Sequence, residues 1–78
     1  MPTLLRIGGY RFFFYSADRE EPPHVHIERE RQSAKFWLDP ARLASSGGLS
    51  RKEIDELYRL VVANRERFLR SWHDFFND

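Results

Sequence analysis

The chain has 78 residues, with 13 Lys and Arg against 12 Asp and Glu, a formal net charge of +1 and no cysteine. That length is one domain, residues 1–78, and a domain so small buries only about 60% of the surface its unfolded chain exposes. The near-balance of charge argues against a dedicated DNA-binding domain, and the lack of cysteine excludes disulfides and thiolate metal sites.

From Met1 to Gly9 there is no apolar run long enough for a signal peptide or a membrane span, so the expected compartment is the cytoplasm, with no membrane partner. Leu4 to Ile7 reads as a strand, and Tyr10 to Tyr15 ("YRFFFY") as a second. Gly8 and Gly9 between them signal a tight hairpin, because both central turn positions can take positive φ. Ser16 to Pro23 ("SADREEPP") is a polar loop, stiffened by Pro22 and Pro23. His24 to Arg29 alternates as a third strand, Glu30 and Arg31 make a turn, and Gln32 to Leu38 is a fourth strand. Asp39 before Pro40 reads as a helix cap followed by a first-turn proline, which predicts a short helix over about 40–45, ended by Ser45, Ser46, Gly47 and Gly48. Ser50 and Glu53 then form a capping box, with Leu49 and Ile54 as its hydrophobic staple. A long helix over about 51–76 follows. At about 100° per residue, Ile54, Leu57, Tyr58, Val61, Val62, Phe68, Leu69, Trp72, Phe75 and Phe76 share its broad apolar stripe. The expected fold is α+β: a small antiparallel sheet of about four strands over residues 3–38, packed on one face by the long C-terminal helix, with the short helix between.

Side chains alternate across a strand. Val25 and Ile27 with Ala34, Phe36 and Leu38 are apolar and belong on the face beneath the helix. The opposite face then carries His24, His26, Lys35 and Trp37, joined from the hairpin by Arg11, Phe13 and Tyr15. Cross-strand aromatic pairs stabilise any sheet, so this face can be no more than a solvated surface. The same residues suit RNA, since rings stack bases and cations meet phosphate. They also suit a partner protein, where aromatic side chains beside Arg act as anchors. A bulge that slips the register would undo the division.

His24 and His26, at i and i+2, point the same way. Two imidazoles so placed can ligate one divalent transition metal such as zinc, given a further ligand. His73 is the remaining histidine and lies at the rim of the helix stripe, so His24, His26 and His73 form the candidate catalytic set and, alternatively, the candidate metal set. Asp18, Glu20, Glu21, Glu28 and Asp74 offer carboxylates. The plain alternatives are an exposed strand that takes histidine easily and a helix-end histidine that suits the C-terminal dipole.

The linked segments "RFFFYS", "PPHVH", "AKFWL" and a late "WH" make the chain resemble the small bacterial proteins grouped as domain of unknown function 4160. The pattern falls on Arg11, Phe12, Phe13, Ser16, Pro22, Pro23, His24, His26, Lys35, Trp37, Trp72 and His73. The resemblance implies a bacterial or phage-associated cytoplasmic protein whose gene lies beside that of another small domain, as in toxin–antitoxin pairs. Relatives often carry glycines where this chain has Glu30 and Arg31. Three expectations follow. The first is a toxin-like ribonuclease, with the histidines as acid and base or metal ligands, Arg11 and Lys35 on the phosphate, and Phe13, Tyr15 or Trp37 stacking a base. The second is a non-catalytic module or antitoxin-like half that docks the neighbouring gene's product, with a homo-oligomer also open. The third is a histidine metal-binding protein.

Overall fold

The computed structural model describes residues 3–77. Five antiparallel strands follow one another in chain order across a single sheet. They are β1 (Thr3–Ile7), β2 (Tyr10–Phe13), β3 (His24–Arg29), β4 (Gln32–Leu38) and β5 (Ala41–Gly47). Helices α1 (Arg51–Ala63) and α2 (Arg65–Phe76) complete the described chain. The expected α+β class holds, and β3 and β4 begin and end where the alternation places them.

Strand β2 ends at Phe13, short of the expected Tyr15, and two further elements differ from expectation. The predicted short helix over 40–45 is instead β5, so the sheet has five strands and not four. Asp39 and Pro40 occupy a two-residue turn that closes Leu38 onto Ala41. Strand pairing wins because it satisfies the open ladder of β4, whereas a helix there would rest on Ser45, Ser46 and Gly47, which favour it poorly. The expected 51–76 helix is also interrupted. Asn64, at φ −111° and ψ 11°, ends α1 and starts α2. Its side-chain Nδ2 donates to the Leu60 carbonyl at 2.9 Å. Asn competes for backbone groups in this way, which makes it a natural break point. The start of α1 follows the sequence: Glu53 N donates to Ser50 Oγ at 3.1 Å, and Ser50 N donates to Glu53 Oε1 at 2.9 Å.

The core lies between one face of the sheet and the two helices. Phe12, Phe14, Val25, Phe36, Leu38, Leu57, Val61 and Phe68 are fully buried there. Phe12 stacks on Phe68 with centroids 5.4 Å apart, and Phe14 meets the Trp72 edge at 5.1 Å. Each such side chain contributes about 1.5–3 kcal/mol through burial. Arg29 covers one end of this core, its guanidinium 4.4 Å from the Tyr10 ring centroid, and pairs with Glu53 at the start of α1. None of the helices in the described residues is long and apolar enough to cross a membrane.

The turns separate glycine positions from others. Gly8 and Gly9 both have positive φ, as their hairpin requires. Glu30, in the β3–β4 turn, has φ 54°, a left-handed conformation that a Cβ disfavours by roughly 1–2 kcal/mol. Glu30→Gly should therefore gain about 0.5–1 kcal/mol, after allowing for glycine's greater unfolded entropy. That gain corresponds to a rise of several degrees in Tm at about 4–8 °C per kcal/mol. Gly9→Ala should lower Tm, since its φ is 84° and the new Cβ would sit 3.3 Å from Arg29 Cδ. Thermal melts of the two variants check both signs.

Candidate functional site

The outer face of the sheet is organised by the ladders. Phe13 pairs with His26, His26 with Lys35, and Lys35 with Ser45, so these four side chains cross β2 to β5 in one row. Arg11, Glu28 and Ser33 form the row on one side, His24 and Trp37 the row on the other. A register shift of the kind that would undo the division does occur, but only in the outer pairings, β1 with β2 and β4 with β5. It leaves the β2–β3–β4 rows intact.

Val25 and Ile27 are buried beneath the helices, which turns His24 and His26 to the opposite face. The two imidazoles lie 5.0 Å apart. His24 is nevertheless fully buried. It sits at the end of β3, where Trp72 of α2 reaches round to 5.1 Å and Trp37 stands at 5.6 Å. His26 is half-buried, stacked on Phe13 at 5.6 Å and met by the Tyr15 edge at 4.6 Å.

A carboxylate joins both rings. The segment Ser16–Glu20 is a single 3-10 turn, and its Asp18 is buried. Asp18 Oδ2 accepts a hydrogen bond from Tyr15 N at 2.7 Å, which orients the carboxylate. His26 Nε2 lies 3.1 Å from each Asp18 oxygen, and His24 Nε2 lies 3.1 Å from Oδ1. One ligand atom each from Asp18, His24 and His26 falls within 4.8 Å of the others. Two histidines and a carboxylate are a donor set for first-row divalent ions.

The ring tautomers follow from their partners. His24 Nδ1 lies 2.8 Å from the Pro22 carbonyl, which only accepts, so Nδ1 carries the hydrogen. An ionised Asp18 also only accepts, so His26 donates from Nε2 and its lone pair is on Nδ1. Burial pushes the His26 pKa below the usual imidazole value, and Asp18 offsets this only in part. Burial opposes ionisation of Asp18, but the Tyr15 N–H and the His26 hydrogen bond outweigh it and hold the carboxyl below its ordinary value.

The remaining residues singled out from sequence fall on this face in different states. Arg11 is clamped by Glu28, with Nη2 and Nε at 2.6 and 3.0 Å, and lies 4.1 Å over the Phe13 ring. Lys35 pairs with Glu21 Oε1 at 2.6 Å and stands 4.6 Å from the Trp37 ring. Both cations are thus already neutralised. A groove of about 330 Å³ opens beside the cluster, lined by Phe13, Tyr15, His26, Ser33, Lys35 and Ser45. His73 does not join. It is exposed on α2, outside the three-residue cluster, because Trp72 is the residue whose side chain turns to the sheet and its neighbour is about 100° further round the helix. Asp18 takes the place the sequence offered to His73. Five acidic residues suit the role equally by sequence, and only the 3-10 turn, which brings Asp18 back over β3, separates it from the others.

Metal-free protein should lose stability on acidification in two steps. The folded His26 pKa is depressed, so below the unfolded value of about 6.5 the unfolded chain binds more protons and is favoured as pH falls. The depressed Asp18 pKa adds a second loss below about 3.8. Urea midpoints in chelator at pH 7.5, 6 and 5 should fall for wild type and fall less for His26→Gln. A wild-type midpoint constant over that range would contradict the depressed His26.

The family model described as a domain of unknown function (DUF4160) matches residues 9–73. No curated protein and no solved structure matches the chain.

Proposed function

The chain belongs to the DUF4160 family, and we propose that it is a small cytoplasmic RNA-cleaving protein, the toxin-like member of a gene pair, that uses His26 at the groove. One observation carries this reading: His26 is held by a buried carboxylate while its ring stays part-exposed at the edge of an aromatic-walled groove. A neutral imidazole fixed by Asp18 through one nitrogen is a general base through the other. RNA suits such a base because it brings its own nucleophile. The base takes the 2′-OH proton, the oxygen attacks the adjacent phosphorus, and the P–O5′ bond breaks as the leaving oxygen takes a proton from water. Tyr15, exposed at the groove, is placed to stack a base. Lys35 and Arg11 meet phosphate only by exchanging Glu21 and Glu28 for it, so binding should weaken steeply with salt.

Purified wild type should cleave single-stranded RNA. His26→Ala should lose about 10²–10⁴-fold in rate, and Asp18→Asn should lose part of that while staying folded. Intact RNA after incubation with wild type, or equal cleavage by His26→Ala, would sink the reading.

A second reading, docking of the neighbouring gene's product, is favoured by a different surface. Strand β5 ends the sheet with an unpaired edge and is exposed along most of its length. Beside it an apolar groove of about 410 Å³ is lined by Phe36, Leu43, Ile54 and Tyr58, with Leu43 and Tyr58 exposed. Such an edge accepts an added strand whose side chains fill the groove. The neighbour's product should co-purify with wild type, and Leu43→Glu should abolish the complex. A neighbour that stays unbound at micromolar concentration removes this reading.

A further inference from the structure

We propose that Asp18, His24 and His26 bind one divalent first-row transition ion, zinc foremost, through Asp18 Oδ1, His24 Nε2 and His26 Nε2. The inference uses the site described above but does not rest on RNA cleavage.

Its first support is an unpartnered atom. His24 is fully buried, and its Nε2 has no hydrogen-bond partner. With Nδ1–H donated to the Pro22 carbonyl, Nε2 presents a lone pair, and Asp18 Oδ1 lies only 3.1 Å away. Two acceptors at that distance repel unless a positive centre lies between them. A proton on Nε2 is one such centre, but its N–H direction misses the Asp18 oxygens, since no hydrogen bond forms there. An ion reached by all three side chains relieves the same contact without that alignment.

The second support is the geometry of the set. Bonds of about 2.0–2.1 Å at tetrahedral angles place neighbouring ligand atoms about 3.3 Å apart. Asp18 lies 3.1 Å from the Nε2 atoms of both histidines. The His24–Pro22 hydrogen bond is also the outer contact that metal-bound imidazoles use to fix their tautomer. Glu21 Oε1, 3.7 Å from His24 Nε2, is held off by Lys35. Three protein ligands leave a coordination position open, and the part-exposed side of His26 gives it access to solvent. Ligation through Nε2 requires the hydrogen of the neutral His26 ring to sit on Nδ1, so the ring would serve as ligand and not as base while an ion is held.

The test is titration of chelator-stripped wild type with zinc chloride by calorimetry, with cobalt(II) absorption as a second probe. One ion per chain is expected, with cobalt bands showing nitrogen and oxygen ligation. His26→Gln and Asp18→Asn should each weaken binding more than about 100-fold, beyond the 10–100-fold cost of losing an outer partner. His73→Gln should bind as wild type does. His24→Gln is included, but the two more exposed positions decide the matter should that variant not fold. Folded wild type that takes up no zinc, or cluster variants that bind as tightly as wild type, would overturn the proposal. Zinc binding without RNA cleavage keeps this inference and removes the catalytic reading, and cleavage undiminished in chelator by a protein that takes up no zinc does the reverse.

Discussion

Burial of Val25 and Ile27 beneath the helices is the constraint on which the outer face depends. A strand has a period of two, so once those two side chains are committed to the core, His24, His26 and Glu28 are committed to the other side. The ladders on either side of β3 then carry Phe13 and Lys35 into line with His26, and Trp37 into line with His24. No local preference of a histidine is needed to place it. The core decides, and the two histidines inherit their face from side chains on the other side of the strand.

That inheritance accounts for an unusual mixture of environments. Two rings on the same face, two residues apart, differ sharply in exposure, because only the one at the strand's end is reached by Trp72. The carboxylate between them is also a structural group, fixing the 3-10 turn through the Tyr15 amide. A buried acid with that bond and the His26 hydrogen bond is well satisfied, and this alone would account for its place in the fold. The lone pair of His24 is what a purely structural account leaves over. Nearby, Arg11 and Lys35 are spent on Glu28 and Glu21, so the basic character visible in the sequence is largely cancelled in three dimensions.

How much could be read from sequence depends on where the deciding energy lies. The ends of β3 and β4, the glycine hairpin and the capping box at Ser50 were legible, because alternation, turn chemistry and capping are local. Strand β5 was not. Asp39 and Pro40 carry a local helix-start signal, and only the unpaired edge of β4, a non-local fact, overrides it. The break at Asn64 had a local cause in the side chain's competition for the Leu60 carbonyl, yet the apolar stripe runs on through it and hides it. The outer-face residues were legible by parity. The third member of the cluster was not, since choosing Asp18 over His73 needs the path of a loop and the rotation of a helix, neither of which periodicity supplies.

The cover that Trp72 provides has a consequence for the order in which the molecule is completed. Residues 18 to 37 supply the reactive groups, but the wall that excludes water from His24 is synthesised some 35 residues later and arrives only when α2 docks. Until then His24 has no cover, and neither has Phe12, which Phe68 of the same helix stacks upon. The dryness of His24 is therefore a property of the fully docked molecule, and loosening α2 would wet it together with the core contacts of Phe12 and Phe14.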